Sequence, residues 1–232
     1  MTDDTALAIP GVGVLHHCLQ RMLVYCAMNA YVAYDRHGAE LTAAHPNTIT
    51  EDHVRCINAM GARSKPERWG PFMPGTALLT LLPLEPDPSS YLLAMTDDQW
   101  AAVMPHLSTV LNKITADASG IGLAAVTKML HLHRPSLIPA GDSRLLALFQ
   151  VAPGSATEQA LGLMEALRRC VAPPQDGNLA VLDGLQTDLA GIEMYGHAIE
   201  LTPLRLLEAI CWMQATPSYQ NLWLALGWDT AT

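Results

Sequence analysis

The chain has 232 residues, half of them hydrophobic and only 15% charged, which excludes disorder over most of its length and leaves enough apolar material for a sizeable core. Its formal net charge of -9 weighs against a uniformly basic nucleic-acid binder. It does not exclude a local cationic patch. Arg55, Arg63, Lys65 and Arg68 fall in one short stretch, and Lys128, Arg134 and Arg144 fall in another, beside His131 and His133.

In chain order, residues 1–10 read as a frayed start. Residues 13–34 read as a helix stopped by Asp35-Arg36-His37-Gly38, and 39–48 as a loop. The apolar run from Val12 to Val32 is interrupted by His16, His17, Gln20, Arg21 and Asn29, so it suits a buried helix and not a membrane span. Thr50 caps a helix ending near Gly61, with Glu51 and Asp52 at its positive end. Residues 62–76 form an ordered irregular segment with a short helical turn, and 75–82 a further helical piece. Residues 83–88, with three prolines, carry the strongest linker signal. A helix opens at Thr96-Asp97 and runs to about Asp117, kinked or split at Pro105. Further helices start at Asp142, at Ser155 (a capping box with Glu158), at Asp176 and at Pro203 behind Thr202. No alternating strand pattern stands out. The expectation is an all-α fold of eight to ten helices, one domain over 1–232, with two helical lobes around one cleft.

The five cysteines, Cys18, Cys26, Cys56, Cys170 and Cys211, form no Cys-x-x-Cys pair. Scattered thiols in odd number suit a reducing, cytoplasmic setting and give no iron–sulfur signature. No signal peptide is apparent. His131 and His133 lie two apart and do not share a helix face, so no metal site is expected. His131 is better placed to orient the proline loop that follows it, or to bond near Asp142. His16-His17 read as ordinary histidines, and Gly11-Val12-Gly13 as a hairpin look-alike at the frayed terminus. The eleven methionines and the Trp212-Met213 pair read as core.

The most informative stretch runs from residue 119 to Arg144. Gly120-Ile121-Gly122 makes a tight turn between two helices, and Ile121 points back into the core. The amides that start the second helix sit at its positive end and suit an anion such as a DNA phosphate. That helix stops near Pro135. An extended run through Leu137-Ile138-Pro139 then delivers Asp142 to the start of the next helix, where a carboxylate is stabilised. Such a carboxylate in a closed pocket stabilises positive charge on a sugar or activates water.

This arrangement resembles the helix-hairpin-helix DNA glycosylase superfamily, in which a Gly-hydrophobic-Gly hairpin, a helix and a proline loop lead to a catalytic aspartate about twenty residues on. Gly122 to Asp142 is twenty positions. The run from Lys128 through Arg134-Pro135 and Ile138-Pro139 to Asp142-Ser143-Arg144, with the later run from Leu204 to Met213, is similar to an uncharacterised bacterial branch of these proteins. The resemblance is strongest over about 112–150 and weaker at 48–70 and 203–214. It implies Asp142 as the catalytic carboxylate and leaves Lys128, one turn beyond Ala124 on the same helix face, as a second catalytic candidate equally suited to contact phosphate or pair with a carboxylate. DNA contacts would come from Gly120, Ile121, Gly122, Ala124, Arg134, Ser143 and Arg144. A base pocket would draw on Trp69, Tyr31, Tyr34, Asp35 and His131, with Trp100 a further aromatic in reach.

One departure from the pattern bears on the chemistry. Members that also cut the sugar place a lysine two positions after the hairpin's second glycine, and Ala124 stands there. The resemblance therefore implies a monofunctional enzyme with no cofactor. It would flip a damaged or modified base out of duplex DNA, a phage-type base included, and leave an abasic site. The expected partner is duplex DNA bound by a monomer, with no membrane. Two other readings stand beside it: a helix-hairpin-helix module that only holds DNA or a protein partner, and a hydrolase of free nucleosides. The acidic net charge leans toward the first of these and away from a DNA enzyme.

Overall fold

A computed structural model describes residues 5–28, 31–73, 78–83, 91–117 and 120–226. The described chain is mostly helical, with two short antiparallel hairpins. The linker expected at 83–88 lies, beyond Pro83, outside the described residues.

The amino-terminal segment departs from the expectation of a frayed end. Leu7–Ile9 (β1) pairs with Gly13–Leu15 (β2), in the register Leu7 with Leu15 and Ile9 with Gly13. Leu7, Ile9 and Leu15 are buried in the core, and positive φ at Gly11 (75°) and Gly13 (114°) lets the chain reverse. The Gly-Val-Gly set aside as a look-alike is thus the turn of this hairpin.

Two helices follow, where one long helix was expected. Cys18–Cys26 (α1) is followed by a π-helical stretch, Tyr31–Arg36, that runs directly into His37–Ala44 (α2). The residues Asp35 to Gly38 are therefore not a stop. Gly38 is buried because Leu132 packs onto its backbone, where a Cβ would collide with Cδ2 of that leucine. Its glycine serves close packing between helices, which no local pattern reveals.

Glu51–Ala59 (α3) starts as expected. Thr50 Oγ1 accepts from the His53 amide, and His53 completes the box by accepting from the Thr50 amide. The segment 62–76 holds a 3-10 helix at Pro66–Phe72, and another 3-10 turn lies at Leu78–Leu81. A third occupies Leu92–Ala94 before the long helix Asp97–Asp117 (α4), which runs unbroken through Pro105. Leu123–His133 (α5) and Ser143–Leu148 (α6) flank the motif stretch. Ala156–Arg169 (α7) carries the Ser155–Glu158 capping box, and Gly177–Ala190 (α8) leads to a second hairpin, Glu193–Met194 (β3) with His197–Ala198 (β4). Pro203–Gln214 (α9) and Pro217–Ala225 (α10) complete the described chain.

The core is continuous. Two central helices, α5 and α9, carry buried residues around most of their circumference. Helix α9 packs against α1, α6, α8 and α10, and α5 against α2, α3 and α7. All five cysteines are buried thiols outside any disulfide, and among the described residues no helix is long and apolar enough to cross a membrane.

Candidate functional site

Helix α5 begins at Gly122, an extended cap (φ -87°, ψ 175°) that offers no side chain to the first amides of the helix. Gly120 before it has φ 88°, and its carbonyl accepts from the Arg68 guanidinium at 2.5 Å. The positive φ favours glycine here, and a Cβ, which would sit 2.7 Å from that guanidinium, would push the Arg68 side chain off its carbonyl. Ile121 is buried between the two glycines and anchors the turn. The contact with Arg68 ties the first cationic stretch to the hairpin turn.

The loop from Pro135 to Gly141 is held at three points. His131 Nδ1 donates to the Ile138 carbonyl at 2.7 Å. Glu208 Oε2, on α9, accepts from the Ala140 amide at 2.6 Å. The Thr127 hydroxyl lies 3.2 Å from the Gly141 carbonyl, and a Cβ at Gly141 would come within 2.8 Å of Leu163. The backbone that carries Asp142 is thereby fixed from α5 and α9 together.

Asp142 then does two things. Its Oδ1 accepts from the amides of Arg144 (2.9 Å) and Leu145 (3.1 Å), capping α6. Its Oδ2 accepts from the Trp212 indole at 2.9 Å, a bond that spans 70 positions of chain. The Arg144 guanidinium lies over the same indole, 5.5 Å from the ring centroid. Trp212 is half-buried, so its expectation as plain core is corrected: one edge faces Asp142 and part of the ring meets solvent.

These groups line a cleft of about 610 Å³. Its walls include Met60 and Gly61 from the turn after α3, Gly122, Leu123 and Ala124 from the start of α5, and Leu146, Gln159 and Trp212. Asp142, Ser143, Arg144 and Lys128 bring the charge and the polar groups. The wall is mixed, with apolar surface around a few polar groups, as small-molecule and base pockets are. Lys128 is buried, and its ammonium donates to the Met60 carbonyl at 2.7 Å. Burial pulls its pKa below the ordinary lysine value, and the Asp142 charge opposes that pull.

The cleft brings together Asp142, Lys128, Gly122, Ala124, Ser143 and Arg144 from the residues singled out in the sequence. It does not include the others. Arg134 is buried, and its guanidinium is occupied by the carbonyls of Pro46, His133 and Leu79 and by Asn47 Oδ1. It clamps three segments of chain and offers nothing to DNA. Trp69 is fully buried, its indole bonded to Ser64 and its ring against Phe72. Trp100 is buried as well, beneath Arg168. Tyr31 and Tyr34 are core residues, and the Tyr34 hydroxyl donates to the Lys128 carbonyl.

Asp35 and His131 belong to a buried polar cluster behind the cleft. The Arg205 guanidinium pairs with Asp35 at 2.6 Å, with Glu208 and with the Tyr25 hydroxyl, and it lies over the rings of Tyr25 and Tyr34. His131 stacks on Tyr34. Burial lowers His131 to about 4 and raises Glu208 to about 7, the latter against the pull of Arg205 and the Ala140 amide. Helix α9 thus presents Arg205, Glu208 and Trp212, three and four positions apart, on one side. Glu208 grips the loop before Asp142 and Trp212 grips its carboxylate. Sequence reading missed Glu208 and Trp212, although polar residues at helical spacing inside an otherwise apolar helix were a visible signal.

A family model described as a family of unknown function (DUF6308) matches residues 23–215. The chain belongs to this family. The matched span of DUF6308 contains every residue of the cleft, from Ala59 to Trp212. No curated protein and no solved structure matches the chain. Among the described residues no group of three or more His, Cys, Asp or Glu side chains is arranged to hold a metal ion.

Proposed function

We propose that this member of DUF6308 is a monofunctional DNA N-glycosylase that works at the Asp142 cleft. The observation that carries the reading is Asp142 itself. The carboxylate stands at a helix start, in a cleft bordered by the Gly120–Gly122 turn, and its orientation is fixed by Trp212. A target nucleotide turned out of the duplex would place its sugar beside Asp142. As the glycosidic bond lengthens, the sugar gains oxocarbenium character, and the carboxylate stabilises that charge and orients water. The turn amides, with Ser143 and Arg144 exposed at the rim, would hold the neighbouring phosphates. Arg63 and Lys65 are exposed and follow the Gly61 wall in sequence, so they would supply cations for a DNA backbone despite the net charge of -9.

Ala124 lines the cleft where a lyase lysine would project, and a methyl group cannot form a Schiff base. The product is then an intact strand with an abasic site. Modified bases of phage DNA suit such an enzyme as well as damaged bases do, and would make it a defence protein.

One observation favours a second reading, a DNA-holding module without catalysis. Both oxygens of Asp142 already accept hydrogen bonds, as a purely structural cap would. The test incubates the protein with duplexes that carry deaminated, oxidised, alkylated and phage-type modified bases, then cleaves abasic sites with alkali. Strand scission that needs the alkali step supports the glycosylase. Absence of scission on every duplex, with binding retained, supports the holding module.

A further inference from the structure

The Lys128 ammonium sits at the inner wall of the cleft with an incomplete set of partners. Among the described residues its three N–H donors have one acceptor, the Met60 carbonyl. Among the described residues no carboxylate stands within 4.0 Å of it, and the residue is 4% exposed. The carboxylates of Asp142 and, more weakly, Glu208 act on it through space alone. A buried cation without a partner is costly, and proteins keep one where a ligand supplies the missing charge. The open side here is the cleft. The glycosylase reading puts the phosphates at the rim, where Gly122, Ser143 and Arg144 are exposed. The inner cation is left for the group that goes deepest.

We propose, resting on the glycosylase reading, that Lys128 faces the departing base and that the cleft is built for neutral bases released as anions, carbonyl-bearing pyrimidines above all. The step balances as follows. The C1′–N bond breaks and its electron pair stays on the base nitrogen. The sugar becomes cationic beside Asp142, and the base becomes anionic beside Lys128. Water adds at C1′ and loses a proton to solvent, and the base anion takes one up after release. Lys128 contributes charge and hydrogen bonds and transfers no proton. A pyrimidine carries a carbonyl next to its glycosidic nitrogen, where the new negative charge spreads, and the two unused N–H donors of Lys128 suit that oxygen.

An N-alkylated purine is cationic before cleavage and departs neutral. It gains nothing from an ammonium and is repelled by it. Asp142 and Lys128 thus divide the charge separation of the transition state between the two fragments.

The experiment compares single-turnover base release from duplexes with one deoxyuridine or one oxidised pyrimidine against duplexes with one 7-methylguanine or 3-methyladenine. The inference expects release of the pyrimidines and at most background release of the cationic purines. It expects Lys128→Met to slow pyrimidine release by about 100-fold with little change in duplex affinity. It also expects Lys128→Arg, which keeps the charge, to restore release. Release confined to the cationic purines overturns the inference and leaves the glycosylase reading standing. Equal release of both classes, or full activity of a folded Lys128→Met, also overturns the inference alone. Absence of release from every duplex overturns both.

Discussion

The Trp212 indole N–H donates to Asp142 Oδ2 at 2.9 Å and so joins helix α9 to the aspartate that ends the proline loop. The same helix holds the loop two residues earlier, through Glu208 and the Ala140 amide. The carboxylate at the cleft is therefore set by α9 as much as by the hairpin and helix that precede it in sequence. Trp212→Phe keeps the ring under Arg144 and removes the one hydrogen bond. It is expected to cost about 1 kcal/mol in urea unfolding and to lower base release at least 10-fold with duplex affinity unchanged. Full release by Trp212→Phe would show that the indole packs and does not position.

Arg205 is the hub behind the cleft. Its removal leaves Asp35 and Glu208 as buried carboxylates without their cation. Arg205→Met should destabilise the fold by about 3–5 kcal/mol, measured as a lowered urea midpoint at unchanged slope. Asp35→Asn removes one of the two competing acids and should be much milder. A loss of less than about 1 kcal/mol for Arg205→Met would show that the cluster contributes little net stability.

His53 and His133 form a ring pair at 4.6 Å between α3 and the end of α5. Burial lowers them to about 4 and about 3. The charges of His45, His37 and Arg134 push the same way, and Asp52 and the Pro46 carbonyl oppose. The folded state binds these protons less tightly than the unfolded chain does. Their contribution to stability is thus present above pH 6.5 and is lost as pH falls from there toward 4. Thermal unfolding scans between pH 7 and 4 should show the midpoint falling, and His133→Phe should flatten the slope. A slope unchanged in that variant would exclude His133 as its source.

The two hairpin glycines should separate under substitution. Gly120→Ala meets both the positive φ and the Arg68 guanidinium, and should cost more than about 1 kcal/mol. Gly122 has an ordinary φ and open space at its Cβ position, so Gly122→Ala should leave stability within about 0.5 kcal/mol. If the turn receives a phosphate, the same variant should weaken duplex binding, read by fluorescence anisotropy. Unchanged binding would place the phosphate contact elsewhere.

Local chemistry made much of this molecule legible in its sequence. The caps at Thr50, Asp142, Ser155 and Thr202 all announce real helix starts, because capping depends on residues a few positions apart. What failed depends on distant partners. Gly38 looked like a stop and serves a contact with Leu132. The resemblance put Arg134 among the DNA contacts, but its guanidinium is taken up by the carbonyls of residues 46, 79 and 133. Trp69, Tyr31 and Tyr34 were candidates for a base pocket, and all three are buried. The cleft wall at Met60 and Gly61 and the far wall at Trp212 lie about 60 and 70 positions from the motif, beyond the reach of any spacing rule.

The most direct test of the central claim is single-turnover base release by the parent protein and by Asp142→Asn on the best duplex of the panel, with DNA affinity measured in parallel. The account predicts an abasic product revealed by alkali for the parent. It predicts at least about 100-fold slower release for Asp142→Asn at similar affinity. Equal release by the two proteins, or no release by either with equal affinity, would contradict it.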